Sequence, residues 1–163
     1  MGREWFPLTF RDPHERWNGV NAAAPGLNAF LDAELKRRGL GANALALVGF
    51  SQGTMMALHI GLRRPQAVAA LVGYSGLLVL PVSGGLDAMK DEVVSRPPVL
   101  LVHGDRDELI PAQALFPAAQ GLSSLDIPVE WHLSHGVAHG IDAEGLRHGG
   151  EFLARRFRAV ISA

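Results

Sequence analysis

Short apolar runs alternate along this chain with stretches of helical periodicity, and that alternation leaves few folds open to it. The runs are Ala44 to Phe50, Val68 to Tyr74, Val99 to Val102 and, with mixed polarity, Val129 to Leu133. Each is short and rich in Val and Leu, as strands are. Ahead of the first, Ala24, Leu27, Phe30, Leu31 and Leu35 recur at helical spacing within Asn21 to Arg38, and Gly39 and Gly41 end the pattern. After it, Gly53 to Arg64 carries Met55, Met56, Leu58, Ile60 and Leu62 round a second helix, which Pro65 stops. Ala112 to Leu122 and Ala143 to Ile161 read as further helices. Strand and helix in alternation predict an α/β fold, a mostly parallel sheet with helices on both faces.

A chain of 163 residues with 48% apolar and 19% charged residues has material for one buried core. Glycine and proline punctuate it at intervals without forming a linker or a repeat, so residues 1–163 are expected to make a single domain. The formal charge of -1 offers no footprint for nucleic acid or an anionic membrane. No apolar run is long enough to span a bilayer, and the N-terminal residues lack the pattern of a secretion signal. There are no cysteines, which excludes thiol catalysis and fits a cytoplasmic location. Any nucleophile must be an oxygen.

In parallel sheets of this kind ligands bind beyond the carboxyl ends of the strands. The residues there are Ser51, Ser75-Gly76, the segment Gly104 to Asp107 and the segment Ser134 to His139. Gly49-Phe50-Ser51-Gln52-Gly53 matches G-x-S-x-G, in which glycines flank a serine on a sharp strand-to-helix turn. The pentapeptide is common by chance, but here a strand-like run precedes it and a helical one follows, as the turn requires. A serine hydroxyl needs a base to take its proton and an acid to orient that base. The third run opens into Asp105, Asp107 and Glu108, and the fourth into His135 and His139. The chain order of serine, acid and histidine is the one this strand–turn–helix arrangement uses. Spacing leaves Asp105 open beside Asp107 as the acid, and His135 open beside His139 as the base. His59, amid apolar residues, reads as a core histidine and His103 as a structural one, while His14, His132 and His148 acquire no role. No histidine pair or carboxylate cluster has metal-site spacing, so neither a metal nor a cofactor is expected.

The blocks Trp5-Phe6-Pro7-Leu8, LALVGFSQGTMMALHIGLRRP from Leu45 to Pro65, Tyr74-Ser75-Gly76, HGDRDELIP and Gly136-Val137-Ala138-His139 together resemble the phospholipase/carboxylesterase family of acyl-protein-thioesterase-like α/β-hydrolases. The resemblance implies Ser51 as nucleophile, Asp107 as acid, His139 as base and the Gln52 amide as an oxyanion donor. It places Trp5, Phe6 and Leu8, with Leu77, Leu78 and Val79, near an acyl-binding cleft, and Trp5, Phe6 and Leu78 are the candidate substrate contacts. The implied activity is hydrolysis of short acyl esters through an acyl-enzyme. Thioester or lysophospholipid hydrolysis uses the same triad. A flavodoxin-like binding domain is disfavoured, because no phosphate-binding loop appears.

The family begins with further strands and a His-Gly-containing loop that donates a second amide to the oxyanion, and no such motif precedes Ser51. The chain resembles an N-terminally shortened α/β-hydrolase. Losing one oxyanion donor costs roughly a hundredfold to a thousandfold in rate, so a weakly active or silent domain is the rival reading. Without those strands, Ala44 to Val48 becomes an exposed apolar edge. It is expected to be covered by the segment Trp5 to Arg11 or by a second copy, making a homodimer or larger assembly.

Overall fold

A computed structural model of the chain describes residues 4–9, 12 and 14–161, residues 160 and 161 by their backbone. Its elements run α1 (Glu15–Arg38), β1 (Ala46–Phe50), α2 (Gln52–Gly61), β2 (Ala70–Tyr74), α3 (Gly85–Glu92), β3 (Val99–Gly104), α4 (Leu115–Ser124), β4 (Val129–Ser134) and α5 (Ala143–Ile161). The four strands form one sheet in the order β1-β2-β3-β4, and every neighbouring pair is parallel. Phe50 lies opposite Tyr74, Tyr74 opposite Val102 and Gly104 opposite Ser134. This register brings the carboxyl ends of all four strands to one rim.

Pleat alternation divides the strand residues between two faces. Leu71, Val99 and Leu101 meet Leu58 of α2, Leu62 just after it, Met89 of α3 and Leu115 and Leu122 of α4 on one face. Ala70, Val72, Tyr74, Leu100 and Val102 meet Phe152 of α5 on the other. Both faces of β2 and β3 are covered, and these strands are buried throughout. A third cluster joins Phe6, Val20 and Leu31 to Met55, Met56 and Ile60, docking α1 on α2. The Arg64 guanidinium reinforces that joint by donating to Asn28 Oδ1 at 2.8 Å and pairing with Asp32.

Helix α1 starts at Glu15, ahead of the expected Asn21, and runs through Pro25. Helix α3 was not expected. It has eight residues, Met89 alone among them is buried, and it opens on Gly84 and Gly85, both with positive φ, so apolar periodicity barely registers.

Strand β1 is an edge. On its α5 side Ala46 packs against the cluster that contains Phe152, but Val48 and Phe50 are 57% and 41% exposed. The expected edge from Ala44 to Val48 is thus exposed at Val48, while Ala44 to Leu47 are half-buried. The described part of the segment Trp5 to Arg11 does not supply the cover: it adds no strand to the sheet, and Phe6 turns into the α1–α2 cluster instead. Gly19 makes that possible, since a Cβ there would stand 2.3 Å from the Phe6 ring. Phe10 and Arg11 lie outside the described residues. Among the described residues, no helix is long and apolar enough to cross a membrane.

His59 sits in the core as expected, with Trp17 edge-on at 5.6 Å, but its buried Nδ1 has no hydrogen-bond partner. Burial, assisted by the charge of Arg63, pushes its pKa from 6.5 down to about 4. The unfolded chain therefore binds more protons between these values, so stability held above pH 6.5 is lost as the pH falls toward 4. Between pH 7 and pH 5 the wild type is expected to lose about 2 kcal/mol more stability than His59→Leu. Urea unfolding of both proteins at the two pH values checks this, and equal losses would count against it.

Candidate active site

The strand-to-helix turn after β1 sets Ser51 at φ 53° and ψ -115°, a left-handed conformation that an L-residue adopts under constraint. Two contacts hold it there. The Ser51 amide donates to Tyr74 O at 2.9 Å, and the buried Thr54 hydroxyl lies 2.9 Å from Gly49 O and 2.8 Å from Tyr74 O, sharing its proton between them. Gly49 is sterically required, because a Cβ on it would lie 2.3 Å from the carbonyl of Gly53. At Gly53 itself the nearest atom is Trp5 Nε1 at 3.9 Å, so that position carries no such demand. The Ser51 side chain makes no capping bond to α2.

At the rim beyond β3, Asp107 is fully enclosed. Its Oδ1 accepts the amides of Leu109 and Ile110, both at 2.9 Å, and its Oδ2 faces His139 Nδ1 at 2.8 Å. Burial alone would raise its pKa, but the Ile110 amide, His139 and the Leu109 amide outweigh it and hold the carboxyl below the ordinary carboxylate range. An ionised Asp107 can accept but not donate, so the proton of this bond belongs to His139 Nδ1 and Nε2 is left as the basic atom. His103 Nε2 donates to Ile110 O at 2.8 Å and lies 3.3 Å from Asp107 Oδ2, which fits the structural part expected of it.

Asp105 and His135, the alternatives that spacing left open, are paired with each other at the surface. Asp105 also accepts the Gly136 amide at 2.7 Å. The enclosed pair is Asp107 with His139.

The loop that carries His139 is tied down along its length. Arg106 N donates to Val137 O at 2.9 Å, Ser75 Oγ to Gly140 O at 3.1 Å, and Ser134 Oγ to Asp142 Oδ1 at 2.8 Å. Asp142 caps α5 by accepting the Gly145 amide at 2.9 Å, and that bond, with the Ser134 hydroxyl, lowers its pKa. The Phe50 ring packs on the His139 ring at 4.9 Å, which sets the imidazole against the residue preceding Ser51.

An open pocket of about 370 Å³ is lined by Trp5, Leu8, Phe50, Ser51, Gln52 and Leu109, among others. Trp5, one of the three expected substrate contacts, lines the same pocket as Ser51. Phe6 takes a core position, and Leu78 packs on the cluster that holds Leu115, Ala118 and Leu122 of α4, so neither lines this pocket. Gln52 fastens the N-terminal segment over the turn: its Oε1 accepts Trp5 N at 2.9 Å and its Nε2 donates to Phe6 O at 2.8 Å. Phe50 and Leu109 were not singled out in the sequence, where an apolar residue beside a motif looks like core.

With this geometry the family can be settled. The phospholipase/carboxylesterase pattern matches residues 1–156. The chain belongs to the phospholipase/carboxylesterase family. It is 30% identical over 150 residues to acyl-protein thioesterase 1 of Schizosaccharomyces pombe, a match covering 87% of this chain and 63% of that protein. It is 25% identical over 146 residues to the esterase YpfH of Escherichia coli, covering 90% and 60%. The chain thus spans about three fifths of the length of these two relatives. Among solved structures, esterase PE8 superposes with a TM-score of 0.87 at 40% identity, covering 94% of this chain and 70% of that one. A Bacillus cereus carboxylesterase gives 0.71 at 16% identity, covering 85% and 62%, and shares the fold. The α/β-hydrolase architecture follows from these likenesses.

The loop is seated closely on β3: a Cβ at Gly104 would lie 2.2 Å from Val137 O. Gly104→Ala is expected to destabilise the protein by about 1–3 kcal/mol and to displace His139. Thermal unfolding reports the first effect, and loss of the low-field proton resonance of the His139–Asp107 hydrogen bond reports the second. A variant unchanged in both would refute the close-packing argument.

Proposed function

We propose that this protein is a serine carboxylesterase acting on short-chain acyl esters. The observation that carries the reading is the enclosed Asp107–His139 pair, 2.8 Å apart, standing beside the constrained Ser51 turn. Ser51 Oγ attacks the ester carbonyl while His139 Nε2 takes its proton. The Oγ–Nε2 hydrogen bond closes when substrate enters, as catalytic hydrogen bonds commonly do. The tetrahedral oxyanion is met by the Gln52 backbone amide in the first turn of α2, where helix N–H groups lack internal acceptors. His139 then returns the proton to the departing alkoxide, leaving Ser51 acylated. Water, deprotonated by the same Nε2, releases the acid. Trp5, Phe50 and Leu109 form the apolar walls for the acyl or alcohol part.

Acyl thioesters are the second substrate class, supported by the likeness to a thioesterase of Schizosaccharomyces pombe. The same triad cleaves both, with thiolate replacing alkoxide as leaving group.

Hydrolysis of p-nitrophenyl acetate and butyrate, with fluorophosphonate labelling, tests the reading. Turnover and labelling are expected in the wild type and absent in Ser51→Ala, while Asp107→Asn is expected to lower kcat by about four orders of magnitude. A folded wild type that neither turns over nor labels would establish the silent-domain reading.

The uncovered edge supports a homodimer. Val48 and Phe50 lie exposed on β1, beside a groove of about 440 Å³ that Leu27, Leu31, Leu45 and Leu47 help to line. Two copies of β1 pairing antiparallel about a twofold axis satisfy both edges. Light scattering at micromolar concentration is expected to give a dimer mass for the wild type and a monomer for Val48→Lys. A monomeric wild type overturns the assembly.

A further inference from the structure

At the far side of the loop that holds His139, β4 and the start of α5 bring together three side chains to which the sequence spacing assigned nothing. They are His132 on β4 and Glu144 and His148 one helical turn apart on α5. Their ligand-type atoms all lie within 4.8 Å of one another. The two imidazoles are tilted by 33° with ring centres 4.1 Å apart, and His148 Nε2 is 3.8 Å from Glu144 Oε1. His132 Nε2 is buried and has no hydrogen-bond partner. An unpartnered buried imidazole nitrogen is costly, and two stacked rings with a carboxylate alongside give no partner to it.

We propose that His132, Glu144 and His148 form a binding site for a divalent transition-metal ion of the zinc or nickel type. Two imidazoles and one carboxylate are the donor set such ions prefer, whereas calcium and magnesium favour all-oxygen sites. Metal–ligand bonds of about 2.0–2.2 Å require ligand atoms roughly 3.4 Å apart, which small side-chain rotations reach from the present separations. A fourth position stays open to water. The neighbouring cation is Arg147, whose Nη2 is 3.5 Å from His148 Nε2 and 3.8 Å from Glu144 Oε1. It has an alternative partner in Glu151 Oε1 at 2.9 Å and lies largely exposed, so it can withdraw. The other nearby carboxylate, Asp142, is occupied by Ser134 Oγ and the Gly145 amide.

The location gives the site a consequence. His132 precedes the loop 135–142 and the other two ligands follow it, so a bound ion ties β4 to α5 across the base of the segment bearing His139. The strand and the first turns of the helix become one stiffened unit. This inference concerns ion binding alone and stands or falls separately from the proposed ester hydrolysis.

Calorimetric titration of the EDTA-treated, dialysed protein with ZnCl2 and with NiCl2 tests it, with no turnover needed. One equivalent is expected to bind at pH 7.5, raising the Tm. His148→Ala and Glu144→Gln, both on the outer side of α5, are expected to fold normally by circular dichroism and to bind at least tenfold more weakly. His135→Ala, an exposed histidine outside the cluster, is expected to bind as the wild type does. Absence of saturable binding up to millimolar metal overturns the proposal. So does binding that survives His148→Ala unchanged or is lost in His135→Ala, which would place the ion elsewhere.

Discussion

The close passage of α2 over the end of β1 is the contact on which the candidate site depends. Gly49 has no Cβ, the Gly53 carbonyl occupies that space, and Ser51 between them is forced to positive φ. The resulting backbone carries a cost of order 1–3 kcal/mol, sustained by the Ser51 amide and Thr54 hydroxyl bonding to Tyr74 O on the neighbouring strand. A serine at the end of a relaxed strand would point to one face of the sheet. Here it is lifted onto the rim, ahead of a helix whose first amides face the same space.

Around that fixed point the electrostatics are arranged by enclosure and satisfied hydrogen bonds. Asp107 is removed from water, yet stays ionised because two backbone amides and His139 supply what solvent would. Its charge determines which nitrogen of His139 carries the proton. The loop bearing His139 is in turn bonded to β2 through Ser75, to β3 through Arg106 and to β4 through Ser134 and Asp142. His139 is thereby referenced to the same sheet that positions Ser51, and the sheet provides the rigid frame between them.

The sheet is less complete on its β1 side. Alternation places Val48 and Phe50 on the face that α5 covers at the other three strands, and here the cover reaches Ala46 but leaves these two exposed. Phe50 is engaged locally, its ring against that of His139 and lining the pocket that holds Ser51. The same residue thus belongs to the apolar edge and to the candidate site, so whatever covers β1 also touches the surroundings of His139.

Much of this was legible in the sequence because it is local. Strands of Val and Leu, amphipathic helices and the glycine-flanked serine are set by neighbours within a few residues, and the chain order of Ser51, Asp107 and His139 follows from where the strands end. Helix α3 escaped notice because one buried methionine makes no period. The choice of Asp107 over Asp105, and of His139 over His135, rested on resemblance in the sequence. The structure separates the pairs by enclosure, a property no spacing of two or four residues encodes. The core position of Phe6 and the meeting of His132 with Glu144 and His148 were likewise decided by tertiary packing. They join a segment to a helix and a strand to a helix, and such contacts are set by how the layers stack rather than by any pattern along the chain.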